Sequence, residues 1–416
     1  MPKALPRELL VSACLTAATL TAGAWLWFGL QDGANAAPVQ TSGSSKNKAD
    51  RNKADRNKAD KNNAGTFDHS DMGVQSKDKQ DNRILRYSKL PKPASKEEEA
   101  LCRFKLSQKN SILAKNPNDV AALSARAHNY LRLRNIKAAA QDLDKALKLN
   151  PHDEDTLNVT YILVEAYIRD LEEENALHYF DLLIRSLPKE SRLYSERGEL
   201  LHGIGKNNEA LADDTRAIEL DPTNGPAYFS RGEVKCSLGD MAGAIPDFGK
   251  AATLADNKYA PLLRQAECYE VLKDWKNSAI NCNKMIALKT IDVVDRLKAV
   301  LRRGNDYVEM GDKENALKDF STVIAAPREA TMRIERTTQA NEQLTALHGR
   351  ALIYTERKQY DLAIKDYTRM ISNEEEWGEH TPNWYTERAN LYRKLGKNDL
   401  AKRDEDMAKT WSKAKR

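Results

Sequence analysis

Cysteine, proline and glycine are scarce in this chain, at 5, 14 and 19 of 416 residues. The cysteines are Cys14, Cys102, Cys236, Cys268 and Cys282, and no two stand in a CxxC or metal-ligand spacing. They read as small buried residues in helices, with a Cys236–Cys268 pairing left open. Few helix breakers and 31% charged residues suit a soluble, helix-rich chain. A strong charge of one sign is also missing. The net +5 gives no case for nucleic acid as a partner. Catalytic signatures are absent as well. There is no GxSxG and no HExxH, and the scattered histidines, such as His128, His202 and His348, lack a metal-type partner three or four residues away. The run from Gly198 through Gly203 and Gly205 to Lys206 is not a phosphate loop, because Lys206 follows the wrong glycine and no Ser or Thr follows it. No enzyme activity and no cofactor are expected.

Charge is lacking altogether from Leu9 to Leu30. Twenty-two residues in a helix span about 33 Å, enough for a bilayer core. Lys3 and Arg7 precede the run, and the next positive charge is Lys46, so the N-terminus is expected to stay cytoplasmic and the remainder to cross. Ala34-Asn35-Ala36 offers a signal-peptidase site, but the run exceeds an ordinary signal core, which favours an uncleaved anchor. Residues 1–36 are therefore read as a signal anchor, with a cleaved signal peptide and a secreted or periplasmic product as the alternative. Residues 37–95 form a spacer. Their five-residue period, Asn-Lys-Ala-Asp followed by Arg or Lys, matches neither helix nor strand, so nothing is available to bury. As a random coil its ends would lie about 45 Å apart.

From residue 96 the chain repeats itself. A small residue recurs as Ala127, Gly198, Gly232, Ala266, Gly304, Ala351 and Ala389. Twelve residues after each stands another, from Ala139 and Ala210 to Ala363 and Ala401, with turn signals such as Gly239-Asp240 and Gly311-Asp312 between. Pro117 to Pro151 and Pro188 to Pro222 set a 34-residue period. Two helices per period, packed closely where small residues meet, predict a helical-hairpin solenoid over residues 96–412, with about eight units and residues 96–116 as an N-terminal cap. Extra residues at 331–343 predict a lengthened helix.

The series Gly304, Tyr307, Ala316, Phe320 and the series Ala351, Tyr354, Ala363, Tyr367 resemble the tetratricopeptide repeat (TPR) family, in which small and aromatic residues alternate at these spacings. The resemblance covers about 300 residues. It implies an all-α fold and a protein or peptide partner held on the face lined by the first helix of each unit.

An arginine precedes the small residue in six units, as Arg126, Arg197, Arg231, Arg303, Arg350 and Arg388. Sixteen residues later stand Asp142, Asp213, Asp247, Asp319, Asp366 and Asp404. In the fifth unit both partners are neutral, Gln265 and Asn281. Both members change together, so each pair is expected to lock the two helices of one hairpin rather than to do chemistry.

By the same resemblance, Phe229, Leu263 and Leu301 are expected on the floor of the groove, with Arg264, Lys298, Arg302, Glu233 and Glu267 as charged walls for an extended peptide or amphipathic helix. Lys298 and Arg302 match a carboxylate clamp of TPR co-chaperones, but Phe229, Glu233 and Arg264 depart from it, so that clamp is not expected. The resulting expectation is a non-enzymatic scaffold on a single-pass anchor with extracytoplasmic repeats. The alternative is a membrane-anchored receptor for chaperones or precursor proteins with cytosolic repeats. The sequence leaves the oligomeric state undetermined.

Overall fold

A computed structural model describes residues 95–327, 333–372 and 381–414. All fall in the second of two compact units of the chain, Phe67–Arg416. The apolar run Leu9–Leu30 and the charged spacer up to residue 94 lie outside the described residues. Among those described, no helix is long and apolar enough to cross a membrane.

The described residues form seventeen α-helices and no strand. Helix α1 (Lys96–Lys115) precedes eight hairpins, each made of an A helix and a B helix. These are α2 (Val120–Arg132) with α3 (Ile136–Leu149), α4 (Glu154–Arg169) with α5 (Glu173–Ser186), α6 (Ser191–Gly203) with α7 (Asn207–Leu220), and α8 (Gly225–Ser237) with α9 (Met241–Leu254). Then come α10 (Tyr259–Val271) with α11 (Trp275–Ile286), α12 (Val293–Glu309) with α13 (Lys313–Ala325), α14 (Arg333–Glu356) with α15 (Tyr360–Ile371), and α16 (Thr381–Lys394) with α17 (Asn398–Ala414). The insertion at 331–343 does lengthen a helix, since α14 runs 24 residues.

The sixth hairpin shows why these residues fold so. Helix α13 buries Ala316, Asp319, Phe320, Val323 and Ile324, a three-and-four spacing that gathers one stripe on a helix. Asp312 caps it, its side chain accepting from Asn315 N at 3.2 Å. The Phe320 ring is clamped between hairpins: a Cβ on Gly304 would lie 2.8 Å from Cε1, and one on Gly349 2.8 Å from Cε2. Small residues at these positions therefore let an aromatic of the B helix reach the A helices on both sides. Full burial of such a ring stabilises by about 2–3 kcal/mol.

Every A-to-B turn contains one residue in the left-handed region. Gly205, Gly239, Gly311 and Gly396 fill it in four hairpins, and Arg134, Leu171, Lys273 and Lys358 in the other four, at φ of 58° to 60°. The core is uneven along the solenoid. Two large apolar clusters occupy hairpins one to three and six to eight. Small clusters around Phe248 and around Met285 serve hairpins four and five.

Candidate functional site

The six arginine–aspartate pairs form within hairpins, each bidentate, with Nε and Nη2 donating to the two carboxylate oxygens at 2.6–2.9 Å. The aspartates are buried. In the fifth hairpin Asn281 Nδ2 donates to Gln265 Oε1 at 2.9 Å, so the neutral couple still joins the two helices, through one bond of reversed direction. A tyrosine ring lies 5.5–6.0 Å from each guanidinium, either three residues before the arginine or four after. The repeat pattern alone did not expose a second role for these arginines. In five latches Nη1 donates to the preceding B helix or to α1: Arg126 to Asn110, Arg197 to Asp181, Arg303 to Asn283, Arg350 to Ser321 and Arg388 to Thr368. Each guanidinium thus joins its own hairpin internally and also to its predecessor. In the fourth hairpin Lys235 joins Arg231 on Asp247 at 2.7 Å.

The residues expected as groove walls also meet, though in one network rather than two walls. Arg264 on α10 grips Glu233 on α8 through two bonds of 2.6 and 2.9 Å, and Glu267 at 2.5 Å. Arg302 on α12 reaches Glu267 at 3.2 Å and Glu270 at 2.6 Å. The result is a continuous chain of charges across the A helices of hairpins four, five and six. Burial pulls down the pKa of Arg264, but its carboxylate partners outweigh burial and hold it above the usual range. Lys298 pairs with Asp295 on its own helix, at 3.1 Å. Half-buried Glu342 on α14 has its pKa raised by desolvation, against the pull of Lys298 and Arg302.

A second link of this kind joins α4 to α6. Tyr161 donates to Glu196 at 2.6 Å and accepts from Arg192 at 2.8 Å, and Arg192 donates to Glu196 at 2.6 Å. These residues were not picked out from sequence. The available signal was a polar or charged residue recurring on A helices 31 to 35 positions apart, the separation shared by Glu233 and Arg264, Glu267 and Arg302, and Tyr161 and Glu196.

The apolar floor needs correction. Phe229 is 9% exposed and meets Phe248 edge to face at 5.5 Å, and Leu301 is 6% exposed in the core around Phe320. Leu263 is half-buried beside Tyr259 and Leu262. The chain's own helices cover Phe229 and Leu301, because the A helix presents that position to its neighbours rather than to solvent. The A-helix face at hairpins four to six is therefore polar, carrying half-buried arginines and glutamates.

Two further carboxylates, outside the latches, sit inside. Asp214 on α7 is fully buried against Gly198, and among the described residues neither of its oxygens makes a hydrogen bond of normal geometry. Burial pushes its pKa up to about 8, and neighbouring Ser230 offsets only part of this. Asp306 on α12 accepts from Ser278 on α11 at 2.8 Å, and burial pushes it up to about 7. Each lies where one hairpin meets the next. Among the described residues no cluster of His, Cys, Asp and Glu is arranged to hold a metal ion.

Comparison with known proteins bears on the first hairpin most directly. Residues 120–153, which are α2, α3 and the turn after them, match the family model described as tetratricopeptide repeat. The rice Protein SGT1 homolog (Oryza sativa subsp. japonica) is 28% identical over 104 residues, covering 24% of this chain and 28% of the rice protein. Human tetratricopeptide repeat protein 16 is 21% identical over 217 residues, or 50% of this chain and 22% of the human one. The chain thus spans about a quarter of the length of these relatives. Among solved structures, the C-terminal part of a TPR repeat-containing protein from Cytophaga hutchinsonii aligns with a TM-score of 0.44 at 16% identity, covering 57% of this chain and 99% of that one.

Proposed function

We propose that the chain is a non-enzymatic scaffold that takes a protein or peptide segment on the A-helix face of hairpins four to six. The supporting observation is the charge chain Glu233, Arg264, Glu267, Arg302 and Glu270. Each arginine in it holds two carboxylates. A carboxylate arriving on a partner can displace one glutamate without leaving the arginine bare, and the freed glutamate can accept a partner's lysine or arginine. Such exchange is inexpensive because these pairs stay partly wet, and it selects for charge pattern more than for apolar area. The partner segment is therefore extended and carries charges of both signs. The tetratricopeptide repeat match of the first hairpin supports the same class, since repeats of this family mediate protein–protein interactions. We read Leu9–Leu30 as an anchor that places the repeats beyond the membrane, and protease protection in intact cells tests that side.

The test of the face neutralises the two arginines together with Glu233 and Glu267, which leaves a single carboxylate, the partly exposed Glu270, without its arginine. Glu233→Gln with Arg264→Gln, and Glu267→Gln with Arg302→Gln, are compared with wild type by proximity labelling in cells, then by titration with the recovered partner. Helix content should hold while binding falls at least about tenfold. A partner set and affinity that both survive the four substitutions would rule out this face.

A further inference from the structure

The same interface between hairpins four and five holds two thiols. Cys236 lies near the end of α8 and Cys268 on α10, and their Sγ atoms are 3.3 Å apart. A disulfide bond is about 2.05 Å long, so the sulfurs need to close by only a little more than an ångström, within reach of side-chain rotation. Cys236 is partly exposed and Cys268 is buried, which makes one sulfur reachable from solvent and places the other directly behind it. The other buried thiols are placed differently, and Cys282 faces Asp306 Oδ2 at 3.8 Å rather than a second sulfur. The pair also sits beside Arg264, whose ion pair with Glu233 spans the same two helices.

We propose that Cys236 and Cys268 form a reversible disulfide staple, made by exchange with a low-molecular-weight disulfide, that fastens α8 to α10 across the A-helix face. In the first step Cys236 loses its thiol proton to solvent and its sulfur attacks one sulfur of the small disulfide. The other half leaves as a thiolate and takes up a proton. In the second step Cys268, as thiolate, attacks Sγ of Cys236 in the mixed disulfide, and the second small thiolate departs. Two protein thiols are oxidised by two electrons, and one small disulfide is reduced to two thiols. The environment suits this order. Cys236 is the partly exposed thiol and meets the small disulfide first, and Cys268, buried directly behind it, is placed to resolve the mixed disulfide. A dithiol reductant reverses both steps. The staple rests on the sulfur geometry alone and stands whether or not a peptide binds the face.

The experiment uses the full chain, incubated with excess oxidised glutathione, then alkylated in denaturant and digested with trypsin. Three of the five cysteines should alkylate, the two of the pair being protected, and the peptides 236–250 and 265–273 should be recovered joined. Amide exchange in α8 and α10 should slow on oxidation and return on reduction. Cys236→Ser should abolish the joined product, and Cys282→Ala should leave it intact. Peptides 236–250 and 265–273 recovered unjoined, or Cys236 left carrying glutathione that Cys268 never displaces, would overturn the staple. Because the readout is a covalent product in the wild-type chain, a variant that folds poorly does not blur the outcome.

Discussion

Arg303 and Asp319 allow the latch to be weighed. Asp319 has a side chain only 5% exposed, and both its oxygens accept from Arg303, at 2.8 and 2.6 Å. Arg303→Gln strands that carboxylate in the interior, which costs about 3–5 kcal/mol. Asp319→Asn is milder, because Arg303 is 21% exposed, still donates to Asn283 and stays packed over Tyr307, so the loss should be about 1–3 kcal/mol. The double variant reproduces, position for position, the Gln265 and Asn281 couple of the fifth hairpin, where Asn281 donates a hydrogen bond of 2.9 Å to Gln265. It strands nothing and should cost only about 1–2 kcal/mol. The coupling energy is therefore at least about 2 kcal/mol. Solenoids open locally, so the measurement is amide exchange of peptides from α12 and α13, with urea unfolding as a second readout. A double variant whose loss equals the sum of the singles within about 0.5 kcal/mol would show that the two side chains do not act as a unit.

Asp214→Asn should stabilise the protein. The folded pKa of Asp214 is raised, so the folded state holds a proton that the unfolded chain releases between about pH 4 and about pH 8, and stability falls as pH climbs through that window. Linkage puts the penalty at about 4 kcal/mol at pH 7, and urea midpoints that show no flatter pH slope in the variant would refute it. Lys273→Gly should raise stability by about 0.5–1 kcal/mol, since Lys273 sits at φ 60° where glycine carries no Cβ strain, and Gly239→Ala should lower it by a similar amount. A melting temperature that fails to move in opposite directions in these two variants would count against that account. Phe229→Ser tests the corrected floor. A core residue against Phe248 should cost about 3–5 kcal/mol by thermal unfolding, whereas a solvent-facing one would cost under about 0.5.

Much of the hairpin architecture was legible because it rests on pairs at fixed spacing. Gly304 with Phe320, and each arginine with the aspartate sixteen residues on, are contacts within one hairpin, and a repeat displays them several times over. The turns were half legible. Glycine announced the left-handed residue at Gly205, Gly239, Gly311 and Gly396, but Arg134, Leu171, Lys273 and Lys358 adopt the same conformation with nothing in their chemistry to show it. The site was harder because its contacts run between hairpins, and pattern within a repeat does not say which neighbour covers a side chain. Phe229 looked like an exposed aromatic on a helix face, yet it packs on Phe248. Arg264, Arg302, Glu233 and Glu267 were picked as charged walls, but their closure on one another depends on the sideways register of α8, α10 and α12. Asp214 and Asp306 carried no sequence signal, since a buried carboxylate and a solvated one are spelled alike.

Several departures from the repeat rule meet in the fifth hairpin. The fifth hairpin has the neutral latch, a non-glycine turn at Lys273 and only a small apolar cluster, with Gln265 reaching back to the Ile245 carbonyl at 2.9 Å in place of an arginine. The ties it lacks internally it makes sideways, through Glu233 with Arg264, Cys236 beside Cys268, and Glu267 and Glu270 with Arg302. Those ties are half-exposed ion pairs and a thiol contact, which respond to salt, to a competing charge and to oxidants, whereas buried bidentate latches do not. A solenoid whose end segments are locked by apolar core and guanidinium, and whose middle is held by exchangeable bonds, concentrates its adjustable spacing between α8 and α12. That is the stretch of A-helix face where an incoming charged segment would find bonds to trade.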